Sequence, residues 1–572
     1  MRRSYNRLIA LLTCIVMLFA LCSTAVAEEY TGSAMGRNGD VNVSVVYEDG
    51  RIVSVTVGEN QETPGVGDIA VAEMPGKIVE AQSLTVDVVS GATLTSTAIL
   101  QATEAALTNA GVDVSPFKSA QAAVEIIEGE AEQTDIVIVG AGMAGLMAAY
   151  ELRESYPDVS FIVVDKLDYV SGSVPTSGGA MAAISSSLHK ASDSECTTQD
   201  FVDLFEFTSN QKVNESLVKN VYEKSDVVMN RVLDFGAPFG EVPQQASPYS
   251  EKVTAFWTDG GGAALGQFMN QLVKDEPFDL RLSTRAEELI VEDGKVVGVV
   301  VADKTTRHEI RAKAVLLATG GFGSNPDYMH EWLPQFADGW LSTNAGANGD
   351  GFTMTQQFGT KMLGGGSMGS LVAPDGSALI NSLFMVNQEG ERFIGEDQPK
   401  YVLQRACSEQ SDLAAFLLAD ASYDDVDTLN AKMEAGFVKQ YDTLEALAAD
   451  NGIDAEALLQ TVADYNEKAA AGENIPAKEF ELAGSLATPL TTAPYYVEKI
   501  TLRTFGTLPG IEVDEACHVL DGEGNPVSGL FAAGELIAGN AFNRQYPGIG
   551  IGISWAANSG AYAARNIVSG LE

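Results

Sequence analysis

Asp135-Ile-Val-Ile-Val-Gly140-Ala-Gly142-Met-Ala-Gly145, with Phe161-Ile-Val-Val-Asp165 a little further on, decides how this chain folds. After its leading acid the first run is apolar and β-branched, the composition of a buried parallel strand. The glycines then turn the chain into a helix running to about Ser155, and a second strand ends on an acid. A Gly-x-Gly-x-x-Gly run alone is a weak signal. Here strand, glycine turn, helix, strand and acid stand in the order of the dinucleotide fingerprint. Gly140 makes the tight turn, Gly142 lets backbone approach a pyrophosphate, and Gly145 lets the helix lie close on the sheet. Asp165 is placed to hold the ribose hydroxyls of the adenosine half.

Outward from this unit, Ala314-Val-Leu-Leu-Ala-Thr-Gly320-Gly321 reads as another strand entering a glycine turn. Gly529-Leu-Phe-Ala-Ala-Gly-Glu535 is a late strand, followed by a loop and a helix from about Ile553 to Val568. A strand returning to the fold with Gly534-Glu535 at its end is how FAD enzymes of the two-dinucleotide type complete the ribityl site. No second Gly-x-Gly-x-x-Gly carries its own strand and acid, so bound NADH is not expected. Between Tyr441 and Ala471 the pattern is helical, with Asp442 and Glu445 placed as a capping box and Asp454 capping a second helix that carries Leu458, Leu459, Val462 and Tyr465. Near the start, Val41-Asn-Val-Ser-Val-Val and Ile52-Val-Ser-Val-Thr-Val alternate at period two around Asp49-Gly50, a hairpin with one buried face. A polar stretch follows, then Asp87-Val-Val-Ser-Gly-Ala-Thr93, then a helix from about Thr95 to Ala110 stopped by Gly111.

At 572 residues the chain exceeds one hydrophobic core and predicts about three domains. Residues 1–27 read as an export signal: Arg2, Arg3 and Arg7, an apolar run from Leu8 to Leu21, and Ala25-Val26-Ala27 as the cleavage site. The mature protein is thus expected outside the cytoplasm, extracellular or in the cell envelope, with the general secretory and twin-arginine routes both open. The net charge of −43, made more negative by loss of that leader, makes nucleic acid and anionic membrane poor partners. Two of five cysteines, Cys14 and Cys22, leave with the leader, and Cys196, Cys407 and Cys517 are far apart. With no CxxC or CxxCH, neither zinc, an iron-sulfur cluster nor c-type haem is encoded. His189, His308, His330 and His518 lack ligand spacing and read as structural, so no metal is expected.

Gly140-Ala-Gly-Met-Ala-Gly145, Ser177-Gly-Gly179, Arg285, Ala318-Thr-Gly-Gly-Phe322, Gly349-Asp-Gly351, Ala532-Ala-Gly-Glu535 and Asn543-Arg544 stand in the order they take in the fumarate reductase/flavocytochrome c flavoprotein family. The chain resembles that family over essentially its whole mature length. The resemblance implies an α/β fold, with a Rossmann-like two-dinucleotide FAD domain in two parts (133–361 and 503–572) and an α+β clamp domain inserted at 362–502. It implies FAD contacts at Ala144, Asp165, Ser173, Gly178, Gly179, Asp350, Glu535, Gly552 and Ile553. Relatives with covalent FAD use a His near the Ser177-Gly-Gly stretch; Pro175 and Thr176 stand in that neighbourhood here, so FAD is expected to be non-covalent. Asp87-x-x-Ser-Gly-Ala-Thr93 is similar to the acceptor site of a small α+β FMN-binding domain, here 30–112, joined by a linker at 113–132. There a flavin transferase joins the FMN phosphate to a threonine hydroxyl. Thr93 is the expected acceptor rather than Thr95 because it holds the last motif position. Small neighbours expose its hydroxyl at a helix start, whose amides favour a phosphate.

The same resemblance implies reduction of an activated carbon-carbon double bond. FMN passes electrons singly to FAD, FAD delivers hydride to the β-carbon, and a proton goes to the α-carbon. Gly548-Ile-Gly-Ile-Gly552, at the start of the last helix, would bring amides close to the flavin ring and stabilise its anionic reduced form. Family fumarate reductases hold two carboxylates with two His and an Arg and use another Arg as proton donor. Arg544 matches the substrate Arg, but Arg503 stands where the second His is expected, and the first His position falls at Ser370-Leu371. The donor position, counted from Asn387 and Phe393, falls at Lys400, and Gly376 to Leu379 are uncharged. Fumarate is therefore not the expected substrate. Lys400 or Tyr401 could donate the proton. Tyr546-Pro-Gly-Ile-Gly550 is similar to a stretch of 3-ketosteroid dehydrogenases whose Tyr hydroxyl and last Gly amide polarise a ketone, so an enone or mono-carboxylate fits better. The expected partners are this small electron acceptor, a membrane-linked electron donor or flavinylated carrier, and the flavin transferase. Two other readings stay open: a dehydrogenase that desaturates a ketone, and an electron carrier with a vestigial pocket.

Overall fold

The computed structural model describes residues 29–571 except 37–38, 49, 63–66, 87, 90–91, 119–126, 374–383 and 414. The expected leader, residues 119–126 of the linker, part of the Asp87 motif and the stretch from Gly376 to Leu379 lie outside the described residues. The chain divides into two compact units, 1–125 and 126–572.

In the first unit three antiparallel strands, Glu29–Met35, Asp40–Glu48 and Arg51–Val57, form a sheet in chain order. The expected hairpin is its last two strands. Val41, Val43, Val45 and Ile52 on the sheet share a core with Ala70, Met74 and Ile78 of helix Gly67–Ala81 and with Ile99, Ala102 and Ala106 of helix Thr93–Asn109. Two elements escape the sequence reading. The first strand has little β-branched alternation; a Cβ on its Gly32 would stand 2.1 Å from the Ala102 carbonyl oxygen, so a bare backbone seats it on the helix. Helix Gly67–Ala81 lies in the stretch that reads as polar, because Gly67, Pro75 and Gly76 hide the period of Ala70, Met74 and Ile78.

The second unit is built on a mixed sheet. Glu132–Val139 is central and parallel to Phe161–Val164 on one side (Val139 opposite Val164) and to Thr306–Leu317 on the other (Leu317 opposite Val139). The end of Thr306–Leu317 also pairs in parallel with Pro526–Ala532, Val315 opposite Leu530, so the late strand does return to the first glycine unit. Helix Met143–Ser155 lies on this sheet: a Cβ on Gly145 would stand 1.8 Å from the Gly140 carbonyl oxygen. Helix Ile551–Leu571 crosses it equally closely, a Cβ on Gly560 falling 2.0 Å from the Ala144 carbonyl oxygen.

Within the same unit, Phe384–Asn387, Ala415–Ala419, Tyr495–Lys499 and Val438–Tyr441 form a separate antiparallel sheet in that order. It has its own core, including Phe384, Leu418, Leu447, Leu458, Tyr465 and Val497. Helix Leu444–Asn451 is capped by Thr443, whose side chain accepts the Ala446 N–H at 3.2 Å. The expected capping box from Asp442 is thus displaced by one residue, because the extended backbone of Thr443 (φ −140°, ψ 154°) makes it the last residue before the helix. Asp454 caps the next helix as expected, accepting the Ala457 N–H at 2.9 Å.

Two outcomes follow from this packing. Gly145→Val should force the helix off the sheet, costing about 1–3 kcal/mol or more, seen as a lower melting temperature together with lost FAD stoichiometry. Asp135 accepts hydrogen bonds from Lys313 Nζ at 2.7 Å and from the Ser160 hydroxyl and amide at 2.7 and 2.9 Å, which hold its pKa down at about 2. A depressed carboxylate stabilises the fold above its ordinary value near 3.8 and loses that contribution as pH falls towards 2. Asp135→Asn should therefore be less stable than the parent at neutral pH, the gap between urea midpoints closing as the pH is lowered through that window.

Candidate active site

The ends of the parallel strands and the N-terminus of helix Met143–Ser155 open onto one long cleft with about 1350 Å³ of empty space, mouth included. The glycine turn forms part of its wall. Gly140 has φ 109°, and a Cβ there would stand 2.2 Å from the Ala318 carbonyl oxygen. Gly142 and Gly320 present bare backbone: a Cβ on Gly142 would find only Gly172, at 3.9 Å, and one on Gly320 would meet nothing within 4 Å.

One part of the cleft is charged. Asp165 accepts the Ala141 and Leu167 N–H groups at 2.6 and 2.8 Å, which fixes a carboxylate whose pKa is raised by burial. Asp350 lies between Lys166 at 2.5 Å and Arg285 at 2.7 Å. Glu535 accepts both the amide and the hydroxyl of Thr507, at 2.7 and 2.9 Å, and burial raises its pKa too. Met368, Phe505, Phe542 and Trp555 contribute apolar lining. At the start of helix Ile551–Leu571 the Gly552 N–H donates to the Tyr546 hydroxyl at 2.8 Å. Burial pushes the Tyr546 pKa up to about 12, so the phenol is neutral at physiological pH. Its oxygen accepts from Gly552, and among the described residues its own proton meets no acceptor, so it is available to an oxygen in the cleft.

The residues fit FAD. A buried Thr319 hydroxyl lines the cleft without a hydrogen-bond partner among the described residues. Bare glycine backbone and the amides of a helix N-terminus lie beside it, the donor set a pyrophosphate requires, and Asp165 offers acceptors for a ribose.

Of the expected site residues, the fold brings Gly140, Gly142, Ala144, Asp165, Ser173, Asp350, Glu535, Tyr546, Gly552 and Ile553 together along the cleft. Gly145 is under the helix. Gly178 packs on Trp257 and Gly179, at φ 77°, on the Gly261 backbone; neither lines the cleft. Lys400, Tyr401, Arg503 and Arg544 are not in its lining either. Lys400 is exposed at the start of helix Lys400–Ser408. Tyr401 is buried edge-on against Tyr546, ring centroids 5.6 Å apart, its hydroxyl 3.3 Å from the Ala246 carbonyl oxygen. Arg503 donates to the Ser342 hydroxyl at 3.0 Å and stacks 4.7 Å over Phe505. Arg544 is exposed and pairs with Glu409 at 3.2 Å. Ser370, of the Ser370-Leu371 pair expected at the first His position, and Arg503, expected at the second, are direct partners on adjacent strands.

Sequence reasoning missed Lys166, Thr319, Met368, Phe505, Phe542 and Trp555. Lys166 follows Asp165 and could have been found by asking what faces Asp350. The apolar four carry no local signal. No group of His, Cys, Asp and Glu among the described residues could hold a metal ion. In the first unit the helix begins at Thr93, two residues earlier than expected, so Thr93 belongs to its first turn, where amides lack helical partners. Thr95 is buried and its hydroxyl donates to Glu62, which removes it as an exposed alternative.

A family model described as an FAD binding domain matches residues 135–553. The chain belongs to this FAD-binding family. A second model, an FMN-binding domain, matches residues 36–108. The chain is 28% identical to the urocanate reductase of Eggerthella lenta over 89% of this chain and 87% of that protein. It is 26% identical to the NADH:acrylate oxidoreductase of Vibrio harveyi over 90% of this chain, spanning only 59% of that longer protein. A flavocytochrome c3 fumarate reductase in its open conformation superposes with a TM-score of 0.59 at 26% identity, covering 80% of this chain and 84% of that one. Together these place the chain among the fumarate reductase-like flavoproteins with an FMN-binding domain.

Asp165→Ala should weaken FAD binding about ten- to a hundredfold, since it removes a ribose acceptor and frees two buried amides. Flavin retained after ultrafiltration checks it.

Proposed function

We propose that this chain is an exported reductase of an activated carbon-carbon double bond, in an α,β-unsaturated carboxylate or enone other than fumarate. Electrons reach it from a membrane-linked donor or flavinylated carrier, through FMN esterified to Thr93 by a flavin transferase. The observation that carries the reading is the neutral Tyr546 phenol, oriented by the Gly552 amide and set in the same cleft as an apolar lining. A phenol in this place donates to a substrate carbonyl or carboxyl oxygen. That draws electron density from the conjugated alkene and prepares its β-carbon for hydride. When bound, FAD supplies the hydride and FMN relays electrons singly. Of the two expected proton donors, Tyr401 is the one packed against Tyr546, whereas Lys400 is exposed at a helix start. Met368, Phe505, Phe542 and Trp555 exclude water and favour a substrate with an apolar body.

Support against fumarate comes from the same positions. A dicarboxylate needs cations at both ends, whereas Arg544 pairs with Glu409 on the surface, and Ser370-Leu371 and Arg503 stand where the two His are expected. Both relatives are named for acids with a conjugated double bond, urocanate and acrylate. Export rests on residues 1–27; among the described residues no helix is long and apolar enough to cross a membrane.

Anaerobically reduced protein mixed with a panel of enoates and enones in a stopped-flow instrument should be reoxidised by at least one of them, and reoxidation by none overturns the reading. With that substrate, Tyr546→Phe should lower kcat/KM about 10²- to 10³-fold at unchanged flavin content. Made with a flavin transferase, the protein should give a fluorescent band in a denaturing gel. A band surviving in Thr93→Ala disproves the attachment site.

A further inference from the structure

We infer that Glu62 is a positioning residue for flavin attachment: its carboxylate fixes the first turn of the acceptor helix by accepting the Thr95 hydroxyl. This rests on the reading of Thr93 as the flavin acceptor.

Thr95 Oγ1 donates to Glu62 Oε2 across 33 residues of sequence, and both residues are buried, Glu62 at 7% exposure and Thr95 at 2%. A carboxylate is costly to bury unless its oxygens are bonded, so its presence in so small a core calls for a use. Two glycines from other elements make room for it. A Cβ on Gly36, just after the first strand, would stand 2.5 Å from Glu62 Oε1. One on Gly67, at the start of helix Gly67–Ala81, would stand 2.7 Å from the Glu62 Cβ and 3.1 Å from Thr95 Oγ1. The carboxylate is therefore held where a strand end, one helix start and the first turn of the acceptor helix meet. The next residue is tied as well: the Val89 N–H donates to the Ser96 hydroxyl at 3.0 Å, and the Ala92 N–H to the Val89 carbonyl at 3.0 Å.

Thr95 and Ser96 thus anchor the helix start to two different segments, and Thr93 begins the turn they hold. The Thr95 hydroxyl, occupied by Glu62, is withdrawn from competition with it. In the transfer, Thr93 Oγ bonds to the flavin-side phosphorus of FAD and the pyrophosphate P–O bond breaks. AMP leaves, the Thr93 proton passes to a base of the transferase, and nothing is oxidised or reduced. Such in-line attack is favoured when the backbone that carries the attacking residue is fixed, which is what an anchored first turn provides. A carboxylate beside a helix N-terminus is also electrostatically favourable to that helix.

The test uses the full chain prepared without flavin, a flavin transferase and FAD, with covalent flavin followed by in-gel fluorescence and intact mass. Glu62→Ala and Thr95→Val should each lower kcat for attachment at least tenfold, with KM for the protein substrate and the folded fraction at the assay temperature unchanged. The double variant should be no slower than the slower single one, and Glu62→Gln, which keeps an oxygen for Thr95, should recover most of the rate. Wild-type rates in Glu62→Ala, a loss that only follows the unfolded fraction, or Glu62→Gln as slow as Glu62→Ala each overturn the inference. Thr93→Ala separates the two readings. If it still gains flavin, the acceptor assignment fails and Glu62 with it; if it gains none while Glu62→Ala is normal, only Glu62 is wrong.

Discussion

Close contact between backbones, possible only because three side chains are missing, is the constraint on which the larger unit depends. With no Cβ on Gly140 the chain turns against the Ala318 carbonyl; with none on Gly145 the first helix settles on that turn; with none on Gly560 the last helix settles on the first. The first contact aims a helix N-terminus and its unpaired amides at the cleft. The last carries Gly552 and Tyr546, from the far end of the sequence, to the same cleft. Adding a methyl group at any of the three would move an element that carries part of the site.

The cleft combines two chemistries. Asp165, Asp350, Lys166 and Arg285 form a charged group in which each carboxylate is held by amides or cations, and such groups suit the polar half of a dinucleotide. Met368, Phe505, Phe542 and Trp555 supply apolar surface, with the Tyr546 phenol among them. A hydrogen bond from a neutral phenol is stronger where water is excluded. The arrangement therefore favours a substrate that brings one oxygen to Tyr546 and apolar atoms to the wall.

The smaller unit follows the same logic on a reduced scale. Its core is one sheet face and two helices, and Gly32, Gly36 and Gly67 each leave space for a neighbour to come close. The carboxylate of Glu62 fills the space between two of them and ties together segments distant in sequence. A helix start fixed in this way presents its amides without rearrangement, which suits the holding of a phosphate.

What the sequence determined by itself was local and periodic. The strand, glycine turn, helix and acid from Asp135 to Asp165 stand as read, and so does the Asp454 cap, while the late strand forms but ends at Ala532 and leaves Glu535 in the tight turn after it, because each is specified by neighbours within a few turns of chain. Where local signals conflicted the reading failed: Pro75 concealed a helix, Gly32 a strand, and Thr443 took the cap from Asp442. Tertiary structure alone decided which residues share the cleft. Phe505 and Met368 reach it through the pairing of two strands far apart in sequence, and the same pairing sets Ser370 opposite Arg503. Lys400, Arg503 and Arg544 match family positions yet turn to solvent, a hydroxyl and a surface carboxylate. The direction of a long side chain is set by the partners the fold places around it, and those partners are not its neighbours in the sequence.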